Sequence, residues 1–214
     1  MLVGSRMTRN PTTITPDVPV MEALERMRQT NVRRFPVLDK KGRLIGIVTD
    51  KDLLHAGPSS ATSLSVWEVN YLLSQIRVKE VMTTEVITIC EDCPLEEAAR
   101  IMAENKIGGL PVVDDGQVIG IITESDLFKV FIELFGAYEE GVRMTLLGPN
   151  VKGSLAQISS AISQVGGFIL ALNIFVAEDP TTWGCHLKVK DISKDELLAA
   201  VEPLVVEIID VRES

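Results

Sequence analysis

Two short stretches of this sequence carry potentially reactive residues at matched positions: GIVTDKDLL at 46–54 and GIITESDLF at 120–128. Each places a Thr three residues ahead of an Asp, Thr49 with Asp52 and Thr123 with Asp126, at the end of a β-branched run. A short carboxylate beside a helix start can accept hydrogen bonds from a ribose diol. The Thr hydroxyl and the free N–H groups of the first turn can receive a phosphate. The plain alternative is a helix cap, in which the Thr accepts from the backbone and the acid returns to the cap residue's own N–H. Capping alone would accept Ser, Asn or Asp at the first position and Glu or Gln at the fourth. Both stretches keep Thr and Asp while the residues between drift from Asp-Lys to Glu-Ser. On these residues alone the two readings stand nearly even, and a cap can coexist with a ligand role. Ser125 stands inside the second stretch and would assist.

A second constellation differs between the two halves. Val32-Arg33-Arg34-Phe35-Pro36 corresponds to Ile107-Gly108-Gly109-Leu110-Pro111. Arg33, with Arg34 beside it, can clamp a phosphate bidentately where a glycine pair cannot. Val32, Pro36, Ile107 and Pro111 would supply apolar walls for an adenine ring. Two unequal sites are expected, the arginine-bearing one preferring phosphorylated nucleotides. Other chemistry is thin. Cys90 and Cys93 form a CxxC, but zinc would need two more ligands and only Cys185, His55 and His186 remain. No metal is expected, and the two cysteines read as small half-buried residues at a strand exit. With two histidines, no GxSxG and no phosphate-binding GxxxxGK loop, no enzyme is expected.

The elements that must position these residues are written twice. An offset of 75 aligns RMTRNPTTITPDVPVMEALERM (6–27) with VMTTEVITICEDCPLEEAARIM (81–102), and an offset of 74 aligns RLIGIVTDKDLL with QVIGIITESDLF. A duplication of this size dictates the architecture. Each copy reads strand, helix, strand, strand, helix. Pro19 and Pro94 suit a helix start, FPVLD and LIGIV form a hairpin across KKGR, and a helix opens at Thr49 or Thr123. Two βαββα units should pack face to face about a pseudo-twofold axis. Leu64, Trp67 and Leu72 at helical spacing make 60–76 a connecting helix. The apolar run in DLFKVFIELFGAYEEG (126–141) should pack on another subunit or domain.

Composition sets the outer bounds. The chain has 214 residues, 46% hydrophobic and 24% charged, as in a soluble globular protein. Its longest apolar stretch, GGFILALNIFVA, carries Asn173 and is too short for a membrane span. Net charge is −9, which disfavours a nucleic-acid surface. Residues 1–57 hold ten Lys/Arg against six Asp/Glu, and residues 58–214 eleven against twenty-four. Three cysteines and no secretory signal make a reducing, cytoplasmic location the expectation.

GIVTDKDLL and GIITESDLF, with NVRRFPVLD and NKIGGLPVVD, resemble tandem CBS domains forming a Bateman module over residues 3–131. The resemblance implies a regulatory module that binds an adenosine-containing nucleotide (AMP, ADP, ATP, or a relative such as S-adenosylmethionine or NAD) in clefts between repeats, and that pairs into homodimers or higher homo-oligomers. It assigns ribose to Asp52 and Asp126 and the ribose or phosphate to Thr49 and Thr123.

From Val142 the pattern changes. VRMTLL, a GPNVKGS loop, the helical spacing of Leu155, Ile158, Ile162 and Val165, then FILALNIFVA, WGCHLKVKD, a Ser193–Glu196 capping box and LVVEIIDV give βαββαβ, a ferredoxin-like unit. In WGCHLKVKD, Trp183, Cys185, Leu187 and Val189 face the core while His186, Lys188 and Lys190 face solvent. The unit resembles an ACT domain, which implies an amino-acid ligand held by the loop containing Asn150 and Gly153, or dimer formation. The expected divisions are 1–57, 58–77, 78–138 and 139–214, an α/β (α+β) chain. The whole arrangement is similar to the acetoin-utilisation protein B family, which implies regulation of carbon metabolism. A structural dimerisation module with vestigial pockets is the rival.

Overall fold

The computed structural model describes residues 1–56, 71 and 74–213. Leu64, Trp67 and Leu72, on which the expected connecting helix rests, lie outside these. The chain folds as two compact units, Met1–Leu127 and Phe128–Ser214.

In the first unit, copy one contributes β1 (Thr8–Arg9), α1 (Val20–Thr30), β2 (Arg34–Leu38), β3 (Leu44–Thr49) and α2 (Asp50–His55). Copy two contributes α3 (Leu95–Asn105), β4 (Gly109–Asp114), β5 (Gln117–Thr123) and the start of α4 (Glu124–Leu134). Local structure repeats with the sequence. Pro19 and Pro94 occupy the N-cap positions of α1 and α3 with extended backbone, and Asn31 and Lys106 end these helices in the left-handed region at φ 53° and 55°. Val20, Ala23 and Met27 on α1, and Leu95, Ala98 and Met102 on α3, are the buried stripes. The β2–β3 and β4–β5 hairpins each carry a register shift at the same place, Val37/Leu38 and Val112/Val113. Phe35, Val37, Val48 and Leu53 join the α1 stripe in one core, and Leu110, Val112 and Ile122 are its buried counterparts.

The leading segment of each copy does not stay with its own hairpin. Thr8 and Arg9 pair with Ile121 and Gly120 of β5, and Thr83 exchanges two 2.9 Å backbone hydrogen bonds with Ile47 of β3. The element order read in each copy, strand, helix, strand, strand, helix, does not reveal this crossing. The crossing is made possible by Gly46 and Gly120, where any Cβ would collide with the Met82 and Met7 thioethers. Within a copy the leading segment contributes a single parallel bridge, Ile14 to Val37 or Ile89 to Val112.

The cysteine expectation is corrected. Cys90 and Cys93 are joined as a disulfide with their Cα atoms 5.3 Å apart, and Cys90 is exposed. The four-residue turn that brings them together, closed by the Cys93 N–H on the Cys90 carbonyl at 3.3 Å, is the reason.

The second unit comprises β6 (Val142–Pro149), α5 (Ser154–Gln164), β7 (Phe168–Phe175), β8 (Thr182–Lys190), α6 (Lys194–Val201) and β9 (Glu207–Glu213). The strands are antiparallel in the order β7-β8-β6-β9, the ferredoxin-like arrangement. Val142, Met144 and Leu146 alternate inward and meet Ile158, Ile162, Leu197 and Val201, with Cys185, Leu187 and Val189 from β8. Ser193 and Glu196 form the capping box of α6.

The opposite face of β8 is not the solvent face that alternation suggested. Lys188 is 3% exposed, and its Nζ donates to the Gly136 carbonyl at 3.1 Å. Asn173 donates to the Leu134 carbonyl, and the Phe135 ring lies 5.2 Å from that of His186. Helix α4 stops at Leu134, Gly136 turns the chain at φ 59°, and residues 134–136 lie on the sheet. Residues 134–136 of the apolar segment expected to pack on another subunit or domain thus pack on the ferredoxin-like sheet. Phe128 and Phe131 remain 66% and 56% exposed. Among the described residues no helix is long and apolar enough to cross a membrane.

Candidate functional site

A cleft of about 480 Å³ opens between the two copies of the first unit. That volume suits a ligand of nucleotide size. Copy one supplies Arg33, Arg34, Ile47 and the Thr49–Asp52 turn; copy two supplies its leading segment, Thr83 and Glu85–Ile87, together with Lys106–Gly109 and Glu124. The β3–α2 junction sets one wall, and the strand crossing at Ile47–Thr83 brings the facing wall within reach.

Thr49 and Asp52 form a complete cap. Asp52 Oδ2 accepts from the Thr49 N–H at 2.8 Å and from Thr49 Oγ1 at 2.7 Å, while the Asp52 N–H donates to Thr49 Oγ1 at 3.3 Å. Asp52 Oδ1 has no hydrogen-bond partner among the described residues, so the cap fixes the carboxylate while leaving an acceptor for a ligand. Copy two repeats the two bonds to the second carboxylate oxygen: Asp126 Oδ2 accepts from the Thr123 N–H at 3.1 Å and from Thr123 Oγ1 at 2.7 Å.

Arg34 spans the copies. Its Nη1 donates to the Gly108 carbonyl, and a Cβ on Gly108 or Gly109 would lie 2.6 or 2.7 Å from its guanidinium nitrogens. The glycine pair of copy two is the recess that receives the arginine of copy one. Burial holds the Arg34 pKa below its ordinary value, opposed by the carboxylates of Glu124 and Asp50 and, more weakly, Asp126. The lining carries four cations (Arg33, Arg34, Lys51, Lys106) and four carboxylates (Asp50, Asp52, Glu85, Glu124), with Ile47, Val86, Ile87 and Ile107 as apolar surface.

Of the residues expected from sequence, Arg33, Arg34, Thr49, Asp52 and Ile107 line this cleft. Thr123, Ser125 and Asp126 stand at the equivalent junction of copy two, outside this lining. Pro36 and Pro111 are buried inside β2 and β4, and Val32 is 37% exposed; none of the three lines the cleft. In the second unit Asn150 donates its Nδ2 to the Pro180 carbonyl at 3.0 Å, and Gly153 is the α5 N-cap at φ 87°. Among the described residues no group of three or more His, Cys, Asp and Glu is arranged to hold a metal ion.

Sequence reasoning missed Thr83, Glu85, Val86, Ile87, Lys51, Lys106 and Glu124. The duplication revealed the copies but not the crossing. The available signal was the shared Met before each leading segment and the Gly in each LIGIV or VIGII run, which fit together only between copies.

Comparison with known proteins bears on this geometry. Residues 3–59 and 78–133 match the CBS domain family. A Vibrio cholerae structure assigned to acetoin utilization (AcuB) is 33% identical, with a TM-score of 0.53 over 64% of this chain and 95% of that one. The CBS domain pair of protein MJ0100, in complex with 5-methylthioadenosine and S-adenosyl-L-methionine, is 31% identical, with a TM-score of 0.53 over 65% of this chain and 98% of that one. CBSX2 of Arabidopsis thaliana in complex with AMP is 34% identical, with a TM-score of 0.53 over 62% and 97%.

Proposed function

The chain belongs to the CBS-domain family, and from that premise we propose that it is a non-catalytic regulatory protein whose inter-copy cleft takes an adenosine-containing nucleotide. The observation that carries the reading is the Thr49–Asp52 lip, with one carboxylate oxygen unspent among the described residues, in a nucleotide-sized cleft that also offers aliphatic walls and two arginines. Asp52 Oδ1 accepts from the ribose diol. Ile107 with Val86 and Ile87 packs against the adenine, and Arg33 and Lys51 meet the phosphate. Thr123, Ser125 and Asp126, at the equivalent junction of copy two, serve a second cleft. The neighbours that hold AMP, 5-methylthioadenosine and S-adenosyl-L-methionine support this ligand class.

The equal numbers of cations and carboxylates around the cleft favour ligands of small net charge. AMP and S-adenosylmethionine should bind, and ATP more weakly by about tenfold, or roughly 1.4 kcal/mol. Calorimetric titration of the full chain with AMP, ADP, ATP, S-adenosylmethionine and NAD tests this, each ligand being recovered afterwards for chromatography. Saturable AMP binding with the nucleotide recovered intact is expected. Absence of binding across the series, or recovery of cleaved nucleotide, would overturn the reading.

Occupancy acts by shifting a homodimeric assembly between conformations, with the ferredoxin-like unit as an ACT-type relay, and the regulated process is acetoin-type carbon metabolism. A ligand moves such an equilibrium only through its differential affinity for the two states. The likeness to the Vibrio cholerae protein supports the metabolic assignment.

A further inference from the structure

The Cys90–Cys93 pair is exposed at one cysteine, and neither cysteine is among the residues that line the cleft. Cys90, Glu91, Asp92 and Cys93 form the turn that leads into α3, and residues 1–5 hang on it: the Val3 N–H donates to the Cys93 carbonyl at 2.9 Å and the Gly4 N–H to the Glu91 carbonyl at 2.8 Å. Arg9 adds an ion pair to Glu91 at 3.1 Å.

The duplication supplies an internal control. In copy one the same turn is made by Thr15 to Val18, closed by the Val18 N–H on the Thr15 carbonyl at 3.3 Å, the distance found for Cys93 and Cys90. It holds the equivalent segment equally well: the Val78 N–H donates to the Val18 carbonyl at 2.9 Å and the Lys79 N–H to the Pro16 carbonyl at 3.0 Å. Thr15 and Val18 cannot form a disulfide, so neither the turn nor its docking function requires one. A loop this short also removes little chain entropy when closed. The turn and its docking therefore do not depend on the bond. Cys185 is the contrast: wholly buried, with burial pushing its thiol pKa up to about 11.

We propose that Cys90 and Cys93 form a reversible dithiol–disulfide site that exchanges with a small organic disulfide. The Cys90 thiolate, at the more exposed position, attacks one sulfur of that disulfide and expels the first thiolate. The Cys93 thiolate then attacks Cys90 Sγ in the mixed disulfide and expels the second. The protein loses two protons and two electrons, and the small disulfide becomes two thiols.

The full chain is equilibrated in mixtures of reduced and oxidised glutathione, quenched in acid, alkylated and analysed by mass spectrometry, with circular dichroism on the same samples. Cys90 and Cys93 should gain and lose label together, with Cys185 unlabelled and the spectrum unchanged. Cys93→Ser should trap glutathione on Cys90. Cys90→Thr with Cys93→Val, which installs the copy-one residues, should fold normally and lose the redox response. Persistence of both thiols in excess glutathione disulfide would overturn the proposal. So would a bond that yields to reductant only when the protein is unfolded.

Discussion

Asp52 caps α2 and, in the function proposed above, also binds a ribose; a one-carbon change distinguishes the two tasks. Glu is an accepted partner for a capping Thr, so Asp52→Glu should leave thermal stability within about 0.5 kcal/mol of the parent, whereas Asp52→Ala should lose about 1 kcal/mol with the cap. Both substitutions move or delete the oxygen offered to the ribose, and both should weaken AMP binding at least about tenfold by calorimetry. A Glu variant with undiminished affinity would reduce the pair to a cap. Arg34 is the other decisive side chain, because it belongs to one copy and rests on the other. These residues were legible in the sequence because their chemistry is local: a Thr and an Asp three apart, and two arginines where the duplicate has two glycines. The recess for Arg34 was not legible. It exists only once the copies are packed, and the glycines that form it had looked merely like missing arginines.

At the scale of elements the structure makes two predictions. Gly108→Ala places a methyl 2.6 Å from Arg34 Nη2 and 2.9 Å from Glu124 Oε2, so the guanidinium must leave its recess. Nucleotide affinity should change more than thermal stability does, and calorimetry beside a melting curve separates the two. The second concerns pH in the ferredoxin-like unit. The Arg212 and Arg143 guanidiniums hold the Asp210 pKa down at about 2, below its ordinary 3.8. The stabilisation is therefore present above the ordinary value and lost as pH falls towards 2. His186, hydrogen-bonded to Thr145 Oγ1 at 3.1 Å, is held below its ordinary 6.5 by burial and by Arg143 and Lys188, with Asp210 opposing. Protonation favours the unfolded chain, so stability should also fall as pH drops below 6.5. Asp210→Asn should flatten the lower limb of a pH-dependent melting series, and His186→Gln the upper. Strand and helix identities in this unit followed from alternation and helical spacing. The cover over Lys188 did not, because it depends on where α4 ends and how Gly136 redirects the chain.

For the whole molecule, the duplication was the most informative sequence feature. It fixed the paired architecture and located the Thr–Asp junctions, since aligned residues must occupy equivalent places in two similar folds. It could not show that leading segments cross, because β1 on β5 and Thr83 on Ile47 satisfy the same backbone groups as pairing within a copy would. If occupancy is a signal, saturating AMP should alter small-angle scattering of the full chain, and superimposable profiles would leave binding without a relay. The most direct test of the central claim is a crystal structure of the protein soaked with AMP. The account predicts intact AMP in the inter-copy cleft, its ribose on Asp52 and its adenine against Ile107. A cleft that stays empty while AMP occupies some other surface, or a nucleotide found cleaved, would contradict it.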